Sequence, residues 1–218
     1  EQIDQSRIGV KSFPGNQKPA ASGVSVSGTA EVGQTITAAY TFSDADGDRE
    51  GATIANYYIS ESRDDLFYLN WKKVSDNMTC TEFTVTPICE GRWIRCKLTP
   101  VDSRGAQGEP VWSEPVFVAF TSTVDKMEFR KLVDEAKAKV DAAKVGDEPG
   151  QWTQKEIDLI TAAIADAEAV LAKDPISQYD FDLGVAAFQK AYTRFCNNQN
   201  AGTATDVIEI DALIEDTE

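Results

Sequence analysis

The 218-residue sequence contains no histidine. That absence removes Ser–His–Asp and Cys–His triads, histidine-ligated zinc or iron, and the side chain that most often acts as general base near neutral pH. Catalysis by carboxylates alone, as in glycoside hydrolysis, stays chemically open. Positive charge is also scarce: 21 Lys and Arg stand against 36 Asp and Glu, for a net charge of −15. A surface of that sign repels phosphate backbones and argues against nucleic acid as a partner. No apolar run is long enough to span a bilayer, and no basic–apolar leader is visible. The first residue is Glu1 rather than Met, so a longer parent polypeptide is expected. Cys80, Cys89, Cys96 and Cys196 form no C-x-x-C pair, and their count does not decide the redox compartment.

What is present divides into two halves of different period. From about residue 20 to residue 119 the chain alternates. "GQTITAAYTF" sets Ile36, Ala38, Tyr40 and Phe42 against Thr35, Thr37, Ala39 and Thr41, and "RWIRCKLTPV" sets Ile94, Cys96 and Leu98 against Arg95 and Lys97. "TEFTVTP" does the same with Phe83 and Val85. Period two in β-branched and aromatic residues, broken by glycines at 33, 47, 91, 105 and 108, predicts short half-buried strands and an antiparallel β-sandwich. After Val118 the apolar spacing becomes three and four. Phe129, Val133, Ala136 and Val140 form one stripe, Ile157, Ile160, Ile164, Ala167 and Leu171 a second, and Phe181, Val185, Phe188, Tyr192 and Phe195 a third. Three amphipathic helices with short connections predict an up-down-up bundle. Thr153 with Glu156 reads as a capping box, and Ser177 with Asp180 as a cap on the third helix. The expected organisation is a linker over 1–18, a β-sandwich over 19–121, a three-helix bundle over 122–200 and an acidic tail over 201–218.

Both halves resemble accessory modules. "VSVSGTAEVGQTITAAYTFSDADGDREG" and "ICEGRWIRCKLTPVDSRGAQGEPVWSEPV" are similar to an immunoglobulin-like module of secreted bacterial proteins that act on polysaccharides. Gly28, Gly33, Tyr40, Asp44, Asp46, Gly47, Glu50, Gly51, Gly91 and Ile94 carry the likeness, with Tyr57 standing where that module has a core tryptophan on its third strand. The helical half resembles the FIVAR three-helix module of bacterial surface and secreted proteins, through "LVDEAKAKVDAAKVGDEPGQWTQKEIDLITAAIADAEAVL" and "FQKAYTRF". The resemblance implies an immunoglobulin-like sandwich followed by a FIVAR bundle and a secreted or cell-surface (or periplasmic) address. It implies no reaction.

Two stretches are candidate sites. "SDADGDREG" places Asp44, Asp46, Asp48 and Glu50 at alternate positions around Gly47, in the loop between the second and third strands. Asp and Gly are the residues of tight turns, and a structural turn is the first reading. Hard oxygen ligands on a loop also suit Ca²⁺, although the spacing is not that of an EF-hand, and an acid–base pair comes third. "DLFYLNWKKV" offers Tyr68 and Trp71 as a surface for stacking on sugar rings, while alternation accounts for the same residues by turning Leu69 and Trp71 into the core. Cys96 shares a face with Ile94 and Leu98 and reads as a small buried hydrophobe, and no cysteine stands on the second strand to pair with it. No disulfide is expected between Cys80 and Cys89, which flank an extended strand.

These readings lead to a non-catalytic accessory segment of a secreted or surface bacterial glycan-processing protein, a spacer with a weak carbohydrate- or protein-binding surface. An adhesin fragment binding a host or cell-surface protein is the alternative, and a carboxylate-only hydrolase is third. No cofactor is required, calcium being the one candidate.

Overall fold

Alternating residues in the first half produce β1 (Ala20–Ser27), β2 (Thr35–Ser43), β3 (Ile54–Ser60), β4 (Lys72–Lys73), β5 (Glu82–Thr84), β6 (Trp93–Thr99), β7 (Val111–Trp112) and β8 (Val116–Phe117). The computed structural model describes residues 15–65, 70–121 and 123–199. The strands make two antiparallel sheets, one ordered β1-β2-β5 and the other β4-β3-β6-β7, with β8 also paired to β6. The β1–β2 register shifts between Ser22 and Ser25. Gly23 lies inside that irregularity at φ +62°, a conformation glycine adopts without steric cost.

The inward faces of the two sheets share one core. β3 and β6 pair from Ile54↔Thr99 to Ser60↔Trp93, which sets Tyr57 opposite Cys96. Ala55, Tyr57 and Ile59 of β3 and Ile94, Cys96 and Leu98 of β6 meet Ile36 and Ala38 of β2 and Phe83 of β5. Complete burial of a large apolar side chain contributes about 1.5–3 kcal/mol, so this face dominates the stability of the β unit. At its centre the Tyr57 ring stacks on Phe83 at 4.8 Å, and its hydroxyl donates to the Thr81 carbonyl at 2.7 Å. The four cysteines are all free thiols. Cys96 is fully buried, and burial pushes its thiol up to about 11.

The connection from β2 to β3 is fastened to the connection from β6 to β7. Gly51 N–H donates to the Val101 carbonyl at 2.8 Å, Ser103 N–H donates to the Arg49 carbonyl at 2.7 Å, and Glu50 bridges to Asp102. Gly51 is required there, because a Cβ would lie 2.1 Å from the Asp102 carbonyl oxygen.

A second unit begins at Phe120. Its helices are α1 (Met127–Asp141), α2 (Gln154–Ala172) and α3 (Gln178–Asn197). Their stripes, from Phe129 on α1, Ile160 on α2 and Phe188 on α3, close over a core of their own. Ser177 Oγ accepts from Asp180 N–H at 3.0 Å and caps α3. Thr153 Oγ1 accepts from Glu156 N–H at 3.4 Å, but the Glu156 carboxylate does not return to complete a capping box. It takes both Nε and Nη2 of Arg194 on α3, at 3.2 and 2.7 Å, because an ion pair between helices satisfies both its oxygens. Trp152 stacks on Phe195 at 5.0 Å and donates its indole N–H to the Phe195 carbonyl, closing one end of the helical core. No helix among the described residues is long and apolar enough to cross a membrane.

The readings for the tail 201–218 and for residues 1–14 lie outside the described residues. Asn16 and Gln17, within the expected linker, are hydrogen-bonded to the β unit through Asp102 and Asp46.

Candidate functional site

The acidic loop curls rather than running extended. Asp44 Oδ1 accepts from the backbone N–H of Asp46 at 3.1 Å and of Asp48 at 3.2 Å, an Asx turn that Gly47 completes at φ +82°. This turn brings one carboxylate oxygen from each of Asp44, Asp46 and Asp48 within 4.8 Å of the others. Remote segments supply the other contacts. Asp46 Oδ2 accepts from Gln17 N–H at 3.0 Å, and Asp48 Oδ1 pairs with Arg104 Nε at 3.1 Å. The Oδ2 atoms of Asp44 and Asp48 are buried and receive no hydrogen bond.

The electrostatics follow from that crowding. Contact with the Asp46 carboxyl, followed by burial, raises Asp44 above the usual carboxylate range. The same contact, aided by Gln17 N–H, lowers Asp46. Two acids this close compete for one proton, and the pair titrates as a unit. Chemically, the three residues form a set of hard oxygen donors able to bind a metal cation.

Glu50 does not join them, although the alternate spacing grouped it with the three aspartates. Its Oε1 accepts from the Tyr40 hydroxyl at 2.5 Å, and by residue 50 the chain has already re-entered β pairing with Asp102. The hydroxyl is held in turn: burial first, then the Glu50 contact, pushes Tyr40 up to about 12.

The aromatic candidates separate as well. Tyr68 lies outside the described residues. Trp71 is 4% exposed, so it presents no open face to a sugar. It is not part of the core between the sheets either. Its indole N–H donates to the Asp65 carbonyl at 3.0 Å, and the Arg95 guanidinium covers its ring at 3.8 Å. Arg95 also lies 4.0 Å from the centre of Trp112, whose edge meets Tyr58 at 5.0 Å. The outward face of the β3–β6–β7 sheet thus carries a Trp71–Arg95–Trp112 stack. The alternation placing Arg95 opposite Cys96 was a signal for its side of the sheet, but nothing local indicated the two indoles. Beside this stack is an open groove of about 400 Å³ lined by Arg63, Asp64, Asp65, Trp112 and Glu114. Sequence reasoning missed this groove, as it missed Gln17 and Arg104 at the acidic loop, because these contacts join positions far apart in the chain.

No family model matches the chain, and no curated protein matches it. Among solved structures it is similar to a β-1,2-glucanase from Parabacteroides distasonis, at 12% identity and a TM-score of 0.25, over 80% of this chain and 25% of that one. The chain therefore spans about a quarter of that protein's length. A likeness of that size says nothing about fold or activity.

Proposed function

We propose that the chain is a non-catalytic accessory segment of a secreted or surface-attached bacterial protein that processes glycans, built as an immunoglobulin-like sandwich followed by a FIVAR-like three-helix bundle. One observation carries the reading: each half closes a complete hydrophobic core of its own, as modules in series do. The sandwich assignment is supported by a β1-β2-β5 sheet sharing its core with β4-β3-β6-β7, and by buried Tyr57 on the third strand. The bundle assignment is supported by three helices of 15, 19 and 20 residues around one apolar centre.

Within this role the groove beside Trp112 is the carbohydrate-contacting surface. Its charged side chains offer both donors and acceptors to sugar hydroxyls, next to an aromatic ring. Calcium is the cofactor we assign to the acidic loop, since affinities of about 10⁻⁴–10⁻³ M are typical of extracellular modules. An adhesin reading is favoured by a different feature, an apolar groove of about 260 Å³ between α2 and α3, lined by Leu159, Ala187 and Ala191, with Leu159 itself 42% exposed.

Affinity electrophoresis through gels containing soluble polysaccharides tests the assignment, run beside turnover assays on the same polymers and on chromogenic glycosides. Retardation by at least one polysaccharide, lost in Trp112→Ala, and no turnover are expected. Turnover that disappears in Asp46→Asn or Glu50→Gln would replace the accessory reading with a hydrolase.

A further inference from the structure

The β4-β3-β6-β7 sheet turns one face to the core and the other outward. Because Tyr57 and Ile59 face the core, Tyr58 faces outward, together with its register partners Lys73 on β4 and Arg95 on β6. The same alternation places Lys97 there beside Trp112, and Trp93 beside Phe117. The outward strand positions carry cations and aromatic rings and no carboxylate, in a chain where Asp and Glu outnumber Lys and Arg 36 to 21. Rings and cations are in contact. Arg95 lies 4.0 Å and Lys97 5.6 Å from the centre of Trp112, and Arg63, on the β3–β4 connection, lies 5.7 Å from the centre of Trp93. Phe117 packs beside Trp93 at 5.3 Å and is 40% exposed.

We infer that this face binds an acidic polysaccharide, one bearing uronate carboxylates, laid across the sheet from the groove beside Trp112 to Lys73. The inference rests on the carbohydrate-contacting role of that groove and names the class of sugar it takes. Charge complementarity carries it: Lys73, Arg95 and Lys97 stand on the face itself, and the neighbouring carboxylates stand at its rim. Of these, Asp65 already accepts from Ser60 Oγ at 2.9 Å and from Asn70 Nδ2 at 2.7 Å. Asp64 and Glu114 line the groove, where a carboxylate is an acceptor for sugar hydroxyls.

Spacing selects the polymer. Adjacent strands lie about 4.8 Å apart and residues rise about 3.4 Å, so Lys73 and Arg95 are separated by about 10 Å across β3, and Arg95 and Lys97 by about 7 Å along β6. A nucleic acid strand carries a charge about every 3.4 Å, too densely for cations so placed. In a uronate polymer a pyranose ring separates each carboxylate from the next, and on the protein side aromatic rings separate the cations. A guanidinium fork matches the planar carboxylate, and the indole and phenyl rings offer apolar faces to the sugar between. The cation–π contacts hold Arg95 and Lys97 in position before a ligand arrives, which lowers the ordering cost of binding.

The test is ¹⁵N NMR of the full chain, titrated with a hexameric oligogalacturonate, with the methyl ester of the same oligosaccharide, and with dextran sulfate as a polyanion lacking uronate. The acid is expected to shift the indole signals of Trp93 and Trp112 saturably, to bind about tenfold more tightly than its ester, and to weaken as NaCl is raised. Lys97→Gln should leave the core signals of Ile94 and Leu98 in place, weaken the acid by about threefold and leave the ester's affinity unchanged. Equal affinity for acid and ester, or binding of the ester alone, overturns the acidic assignment and leaves the groove a site for neutral sugars. Dextran sulfate binding as tightly as the oligogalacturonate overturns it too, because attraction of any polyanion is not recognition of a sugar. Silence from both oligosaccharides overturns the inference, while retardation by another polysaccharide that Trp112→Ala abolishes would still support the groove.

Discussion

Replacing Tyr57 with phenylalanine removes one oxygen atom from the centre of the β unit and keeps the ring. The side chain is fully buried, and the stacking on Phe83 at 4.8 Å does not involve the hydroxyl. The lost interaction is the 2.7 Å bond to the Thr81 carbonyl. That carbonyl also accepts from Ala38 N–H at 3.0 Å, so it keeps a partner when the hydroxyl is gone. The cost is therefore that of one net hydrogen bond, about 1 kcal/mol, rather than the full penalty of an orphaned buried acceptor. For a unit of roughly 100 residues this lowers Tm by about 4–8 °C. Urea unfolding of the full chain, followed through the amide signals of Ile94 and Leu98 with those of α2 as internal control, measures it. An unchanged midpoint would mean the hydroxyl makes no bond in the folded state. A loss above about 3 kcal/mol would mean that Ala38 does not share the carbonyl, since only an unsatisfied acceptor costs that much.

Other perturbations test other parts of the structure. A Cβ at Gly108 would lie 1.9 Å from the Pro19 carbonyl oxygen, and backbone cannot yield as a side chain can, so Gly108→Ala should destabilise the β unit by about 2–3 kcal/mol in the same urea assay. The Arg194 guanidinium holds Glu156 below the usual carboxylate range. A depressed folded pKa gives stability that is present at neutral pH and lost as pH falls from the ordinary carboxylate value through the lowered one. Thermal melts of the helical unit should therefore soften below about pH 4.3, and Arg194→Gln should flatten that dependence. Thiol titration should find Cys80, which is exposed, reacting first, with the buried Cys89 and Cys96 reacting only on unfolding.

Periodicity made most of the two cores legible. The inward faces of β2 and β6 hold Ile36 and Ala38, and Ile94, Cys96 and Leu98, as alternation implies, and the three helical stripes supply the core residues of α1, α2 and α3. Such signals are local, repeating within one element. The departures are all long-range. Glu156 looked like half of a capping box because Thr153 stands three residues before it, yet its carboxylate goes to Arg194 on another helix. Trp71 looked core-facing or sugar-facing, and it lies under Arg95 on the outer side of a sheet. At the acidic loop, the curl at Gly47 and the convergence of three aspartates follow from residues in sequence order. The loss of Glu50 to Tyr40 and the arrival of Gln17 and Arg104 depend on pairing between segments that no spacing rule connects.

The central claim, an accessory role beside a glycan-active domain, is tested most directly in the complete gene product. Residues 15–199 would be deleted from it, and turnover measured on a soluble oligosaccharide and on the parent polymer. The account predicts unchanged kcat on the oligosaccharide and a several-fold loss of activity on the polymer. Loss of turnover on both substrates with the remaining protein still folded, or a gene product with no glycan-active domain at all, would contradict it.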